Sequence, residues 1–463
     1  MGEDKKLKKV LTNFDLLFLA LGAMLGWGWV VLSGSWITSA GSFGAVIAFL
    51  IGGLLVIFVG LNYAELASAM PKVGGEHAYV HRALGHNMSF IASWAITLGY
   101  VSVATFEAVA LPTVIHFLMP DYEAGYLWTV AGFDVNLNWV LIGSVGALII
   151  TAINYIGVKQ AAAFQTFLTL LIVGVGLLLI FGAGLNGEPA NLSPFFIDGG
   201  AGIMTVLVMV PFLFVGFDVI PQVAEEANLP RKQIGKLLIF SVSAAIIFYL
   251  AIALGVGLGL NQSQLEGTEL ATADAIASLF GSQFFAQLLI VGGVAGIITS
   301  WNSFIIGGSR VLYAMAESGM LPSWFGKLHP KYKTPSNAVL FIGVLSMLAP
   351  LLGEAALVWI VNAGGLGIVT AYFLVALSFI VLRKREPEME RPFRAAKSPI
   401  YGYLALILSF GFITLYMPGM PAALVWPYEW IMIAGWTLLG AFFFFKSRSG
   451  AYDQQTVSKK EAL

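Results

Sequence analysis

Two apolar stretches of the chain are interrupted at their midpoints by glycine and polar residues, Leu25-Gly26-Trp27-Gly28-Trp29 and Phe214-Val215-Gly216-Phe217-Asp218. Gly26 and Gly28 leave helical geometry at little cost, and the break frees backbone amides and carbonyls. The half-helix that starts there points its positive end at the gap, so the amides of Trp27, Gly28 and Trp29 suit a carboxylate. At the second break Asp218 is placed to cap free amides at the start of a half-helix. Glu107 lies deep inside a third apolar stretch, where an ionisable group is costly and marks a functional site by default. It suits a substrate ammonium or a mobile proton. Thr299 and Ser300, with Gly296 a turn earlier, offer adjacent oxygens to a hard cation.

The elements that must position these groups are membrane helices. Of the 463 residues 58% are hydrophobic and only 11% are charged, and the mean hydropathy is +0.86. Apolar runs of the length a bilayer core requires predict twelve spans, at 14–38, 43–68, 88–118, 139–157, 160–184, 201–224, 237–260, 283–316, 337–352, 355–382, 399–418 and 424–446. Each break opens a group of five. In hydrocarbon an unpaired backbone group is tolerated only where it lines a cavity, so two breaks in matching places point to a solute site between inverted repeats. The expected organisation is a segment 1–13, a first repeat 14–184, a second repeat 201–382, two further spans 399–446 and a tail 447–463. No soluble domain is appended.

Basic residues fall on one side of this layout. Lys5, Lys6, Lys8 and Lys9 precede the first span, Lys72 and Arg82 follow the second, Lys159 the fourth, and Arg231, Lys232 and Lys236 the sixth. Lys327, Lys331 and Lys333 follow the eighth span, Arg383 to Lys397 the tenth, and Lys446, Arg448, Lys459 and Lys460 the twelfth. The opposite loops carry Asp121, Glu123, Asp134, Glu188, Glu266, Glu269 and Asp274 instead. Loops rich in Lys and Arg stay cytoplasmic, which puts both termini there and requires an even number of spans. Arg310, near the inner end of span eight, is expected to snorkel along its stem to the interface.

An enzyme is not expected. There is no cysteine, no pairing of nucleophile with base and no phosphate-cradling motif. His77, His81 and His86 have a spacing that a metal site could use, but no carboxylate pair or cysteine joins them. No cleaved leader and no nucleic-acid contact is expected. A channel would need a continuous polar path, and spans lined by Gly, Phe and Leu offer no ring of charges.

Four strings carry a resemblance. They are Tyr63 to Tyr79 with Glu65, Pro71, Gly74, Gly75 and Glu76, Asn154-Tyr155-Ile156-Gly157-Val158-Lys159, Gly216-Phe217-Asp218 followed by Glu225 to Arg231, and Ser309-Arg310 to Pro322 with Tyr313 and Gly319. In type and order they resemble the amino acid-polyamine-organocation permeases over spans one to ten. The resemblance implies the five-plus-five inverted-repeat fold of the bacterial leucine transporter, with spans one and six discontinuous and spans eleven and twelve peripheral. It implies a bacterial inner-membrane secondary transporter of small amine-bearing solutes, amino acids first, with no resident cofactor.

The resemblance also assigns roles. Phe212, two residues before Phe214, takes the place of the aromatic gate over bound substrate, and Glu65 belongs to the cytoplasmic gate. Trp27 and Trp29 stand where the family has small or aliphatic residues, either lining the pocket or facing packed neighbours. Some proton-coupled members carry a lysine within span five where others hold sodium, and this chain has none there. Thr299 and Ser300 are similar to the hydroxyl pair that binds sodium in fold relatives. With Gly296 and the first-span residues Ala23 and Gly26 they form the expected sodium site. The alternative is proton-coupled uptake or exchange of an amine without a carboxylate, with Glu107 as its ammonium partner.

Overall fold

A computed structural model describes residues 7, 9–119, 122–268 and 270–448. The expectations resting on Lys5, Lys6, Lys8, Asp121, Glu269 and the tail from 449, with Lys459 and Lys460, lie outside the described residues, as does the side chain of Lys159. The chain is an all-α membrane protein. Its helices are α1 (Asn13–Met24), α2 (Gly28–Ala40), α3 (Ser42–Ala69), α4 (Glu76–Leu84), α5 (His86–Leu118), α6 (Leu137–Ile156), α7 (Val158–Asn186), α8 (Gly199–Leu207), α9 (Val210–Phe214), α10 (Val219–Gln222), α11 (Arg231–Gly259), α12 (Gln262–Glu266), α13 (Ala271–Phe280), α14 (Gln283–Glu317), α15 (Ser336–Leu348), α16 (Ala356–Arg385), α17 (Ile400–Leu415) and α18 (Tyr428–Arg448).

Among the described residues nine helical stretches are long and apolar enough to cross a bilayer, and ten if the bent pair α1 and α2 is one span. The apolar helices Ser336–Leu352 and Ile400–Leu415 are shorter and fall at the ninth and eleventh expected positions. A two-stranded antiparallel hairpin, β1 (Tyr126–Val130) and β2 (Phe133–Asn136), stands between α5 and α6. Its Trp128 donates to the carbonyl of Leu351, 3.0 Å away, and so ties the hairpin to the turn after α15.

The interrupted helices sit at the centre. α5 packs along α16 and α14, α3 along α11, and α1 against α7 and α14. At the start of α1, Thr12 and Asp15 form a reciprocal capping box. Just before it, the amides of Val10 and Leu11 donate to the carbonyl of Glu226, at 2.9 and 3.0 Å, so the chain entering the first span is fastened to the segment leaving the sixth. α18 is attached at the periphery by a reciprocal clasp. The indoles of Trp94 and Trp436 stack with centroids 4.5 Å apart, and each N–H donates to the other residue's carbonyl.

One expectation is corrected. Arg310 does not snorkel. Its side chain is 1% exposed and its Nε lies 2.9 Å from Glu226 Oε1, itself in a side chain only 5% exposed. A guanidinium facing a bidentate carboxylate 84 positions away needs no route to solvent. Glu65 is likewise buried, between Arg383 at 2.6 Å and Arg391 at 3.0 Å, with the Tyr401 hydroxyl donating to it. His77 of α4 is enclosed by Ser89, Ser93 and Ser318. Burial, and then His81 and His86, push its pKa down to about 3.

Two outcomes follow for detergent-solubilised protein. Arg310→Met leaves a buried carboxylate unpaired and should cost about 3–5 kcal/mol, whereas the double variant Arg310→Met, Glu226→Gln should recover most of the loss in melting temperature. For His77 the unfolded chain binds a proton below about pH 6.5 and the folded chain does not until about pH 3. Stability is therefore lost as pH falls through that window, by up to about 1.4 kcal/mol per pH unit. His77→Gln should melt with a shallower acid slope than wild type, and an identical slope would remove His77 as the cause.

Candidate functional site

α1 ends at Met24, and α2 starts again at Gly28 after Leu25, Gly26 and Trp27, with an angle of 40° between them. Glu107, 1% exposed, reaches from α5 into this gap. Its carboxylate accepts hydrogen bonds from the Trp27 amide and the Ser300 hydroxyl of α14, while Oε2 has no partner. The protein's own carboxylate thus occupies one of the amides that the sequence assigned to an incoming anion. Gly26 has to lack a side chain here, because a Cβ would stand 2.7 Å from Glu107 Oε1 and 2.8 Å from Ser300 Oγ.

Carbonyls along the second half of α1, among them the orphans of Gly22 and Met24 in its last turn, are met by side chains from three other helices. Thr169 of α7 donates to Phe18, Ser303 of α14 to Leu19, Thr299 of α14 to Gly22, and Tyr249 of α11 to Met24. The oxygens of Gly22 and Gly296 lie 3.1 and 3.0 Å from Thr299 Oγ1. Of the five residues expected at a cation site, Thr299, Gly296 and Gly26 are brought together, Gly26 O being 3.2 Å from where a Gly296 Cβ would stand. The carbonyl that Thr299 meets is that of Gly22, one residue before Ala23, whose methyl faces Gly216 instead. Ser300 turns to Glu107.

Beside this cluster stands Gln165 of α7. Its Nε2 donates to Thr299 O at 3.0 Å and to Ser303 Oγ at 2.9 Å, and its Oε1 accepts from Asn302. Span five therefore supplies a neutral amide to the polar face of α14. Sequence reasoning missed Gln165. The signal was present as Gln165 and Thr169 four apart on a largely apolar span, with Thr299 and Ser303 at the same helical spacing on span eight.

The second break lies directly against the first. Val215 is extended (φ −60°, ψ 142°), and Gly216 has φ +133°, a conformation that L side chains rarely adopt. Asp218 Oδ1 accepts from the Gly216 amide at 2.8 Å, so the carboxylate caps backward across the break, and α10 beyond it is only four residues long. Phe212 packs edge-on to Phe106, next to Glu107, with centroids 5.4 Å apart. Phe214 points elsewhere, into rings of Phe49 and Tyr249. Trp29 is edge-on to Phe248, whereas Trp27 fills the space over Gly293 and forms part of a cavity of about 370 Å³.

Toward the basic loops the site is closed. Tyr63 packs against Tyr79, Phe217 and Tyr372, and below them Gln222 donates to Glu76 at 2.6 Å. Sequence reasoning also missed Glu76 and Gln222 as members of this layer. The arrangement sets an unpaired carboxylate oxygen beside the first amides of α2, between the two helix breaks, with Phe212 packed next to it.

These features agree with what similar proteins are named for. The model of the family described as "Amino acid permease" matches residues 11–442. The branched-chain amino acid permease BcaP of Bacillus subtilis is 30% identical over 89% of this chain and 90% of its own length. The methylthioribose transporter of the same organism is 27% identical over 96% and 94%, and its glutamate/serine transporter AimA 27% over 90% and 78%.

At Gly26 the geometry makes a sharp test. Gly26→Ala should displace Glu107 or Ser300 and lower transport by at least about tenfold, since a misplacement near 1 Å is felt that strongly. Gly174→Ala, where a Cβ meets nothing within 4 Å, should leave both transport and melting unchanged. Equal behaviour of the two variants would show that the first break is not the site.

Proposed function

The chain belongs to the amino acid permease family of membrane transporters, and from that premise we propose that it is a secondary active transporter of small amine-bearing solutes, amino acids first. It works by alternating access between two five-span inverted repeats within a twelve-span bundle, in a bacterial plasma membrane, with both termini in the cytoplasm. The observation that carries this reading is the meeting of two helix breaks with the Glu107 carboxylate between them.

The chemistry runs as follows. The first amides of α2 have no partner within their helix, so Gly28 and Trp29 offer a seat to a substrate carboxylate. Glu107 Oε2 then faces the substrate ammonium across the same gap. Phe212, held beside Phe106, covers the bound solute from one side, and the rings around Tyr63 close the other. Asp218 holds the second break in shape. The coupling ion in this reading is sodium, held by Thr299 with the carbonyls of Gly22, Gly26 and Gly296, so that it braces α14 against the broken first span.

A second reading is favoured by one specific fact. Glu107 already takes the Trp27 amide, and a second carboxylate beside it is repelled unless one of them is protonated. Proton-coupled uptake or exchange of an amine lacking a carboxylate follows, with Glu107 and Asp218 as the proton-carrying candidates.

Uptake into proteoliposomes separates the two. If sodium binds beside α1, it should lower the apparent substrate dissociation constant at constant ionic strength, and substrate should tighten sodium by the same factor. The Thr299→Ala, Ser300→Ala double variant should abolish that coupling. Uptake that ignores sodium and follows a pH gradient would overturn the sodium reading. In the same assay, an amino acid amide that competes as well as the free acid would overturn the carboxylate seat. Glu107→Gln should cost about 1–3 kcal/mol of affinity if the ammonium contact is direct.

A further inference from the structure

The last helix, α18, touches the bundle along a narrow line. Its contact with α5 runs antiparallel through two ring pairs, Trp94 with Trp436 and Phe90 with Phe444, the second pair edge-on with centroids 5.2 Å apart. Between them Gly440 lies so close to the Trp94 indole that no side chain fits there. Away from this line Leu438, Phe442 and Phe445 are exposed.

Beside the line a groove of about 440 Å³ lies between α5, α16 and α18, walled by Ile91, Leu98, Leu366, Ile433, Ala441 and Phe445. Most of its polar groups are already occupied, since Thr370 donates to the Leu366 carbonyl and both indole N–H groups serve the clasp. The surface it offers is therefore almost wholly hydrocarbon. The stretch of α18 from Ile433 to Phe445 is about 18 Å long at the helical rise, close to the roughly 15 Å of hydrocarbon in one leaflet.

The mouth of the groove is charged. At the basic face α18 ends with Arg448 where α5 begins with His86. The Arg448 guanidinium lies over the ring of Phe444 at 5.4 Å and is near enough to His86 to act on it electrostatically. His86 in turn stands edge to face with His81, centroids 6.2 Å apart. Among the described residues no carboxylate pairs with these three groups, and Glu386, at the adjoining end of α16, is taken up by Arg82. A groove that runs the depth of one leaflet and ends in uncompensated positive charge fits one kind of molecule in a bilayer, a lipid with an anionic head. Arginine meets a phosphate with two parallel N–H groups, and an imidazole adds one more donor.

We propose that this groove binds an anionic phospholipid of the leaflet on the basic side, with one acyl chain between α5, α16 and α18 and the phosphate at Arg448, His86 and His81. The inference goes beyond the transport reading and does not depend on it. The lipid fills the space that α18 leaves open and fastens that helix to the two that carry Glu107 and Tyr372.

The test is a melting-temperature titration of the full chain in detergent micelles with dioleoylphosphatidylglycerol or dioleoylphosphatidylcholine. The anionic lipid should protect wild type with a midpoint at least about fivefold lower than the zwitterionic one, and higher salt should narrow the gap. Arg448→Gln should raise the phosphatidylglycerol midpoint about fivefold, the effect of one basic residue at a lipid surface. Arg448→Gln with His86→Gln should raise it about tenfold, and the response to phosphatidylcholine should stay as it was. Ala441→Phe, which fills the groove without touching the charges, should abolish the preference for the anionic lipid. Equal midpoints for the two lipids in wild type, or a wild-type phosphatidylglycerol midpoint in the double variant, overturn the site. An unchanged preference in Ala441→Phe overturns the seat of the acyl chain. sn-Glycerol 3-phosphate should give no protection, and protection equal to that of phosphatidylglycerol would show a site for free phosphate in place of a lipid. No arm requires uptake, so a failure of the transport reading leaves this test intact.

Discussion

Backbone amides and carbonyls cannot be left unpaired in hydrocarbon, and the architecture depends on how two broken helices meet that demand. Each interruption releases groups that a continuous helix would have bonded. At the first, the freed carbonyls of Gly22 and Met24 receive donors from α14 and α11, and the Trp27 amide donates to Glu107. At the second, Asp218 takes the Gly216 amide. The polar residues inside this apolar protein are therefore largely the complement of its broken backbone. The solute site proposed above is the part of that complement which remains unfilled, at Glu107 Oε2 and the first amides of α2.

Charge obeys the same economy nearer the basic loops. Glu65 is enclosed by Arg383 and Arg391, and Glu226 by Arg310, so carboxylates removed from water are matched by guanidinium groups. These clusters join segments distant in sequence: the end of α3 to the end of α16 and the loop after it, and the exit of the sixth span to α14. Such pairs contribute little net stability compared with apolar packing, but an alternative arrangement that separates them is costly. They favour a small number of discrete closed states over a continuum, which suits the alternating access proposed for this chain.

Much of this was legible in the sequence, for definable reasons. Glycine in the middle of an apolar run, a lone carboxylate within a span and one-sided lysine are local signals, and they gave both breaks, Glu107 and the membrane class. The partners were not legible, because they depend on which helices become neighbours. Nothing near Arg310 indicates Glu226, and a solvated stem was the reasonable local expectation. Gln165 looks like an ordinary polar interruption until α7 lies on α14. Glu354 is a loop acid until Phe133 packs on Gly353 and brings the hairpin over it. The direction of a ring is equally nonlocal: Phe212 and Phe214 are two residues apart and face different helices.

The contact between the two breaks bears on descent. A Cβ at Gly216 would stand 2.6 Å from that of Ala23 and 3.0 Å from the Met24 amide, and the backbone there has φ +133°. Position 216 is thus closed to other residues by neighbour and by torsion together, while position 23 already carries the largest group the contact admits. Lineages diverging from this chain can vary almost everything around the pair, including the residues that recognise the solute. The pair itself admits no such freedom, since a larger side chain in place of Ala23 has no smaller residue than glycine to face. Latitude around the crossing point and rigidity at it are in that sense two results of a single van der Waals limit.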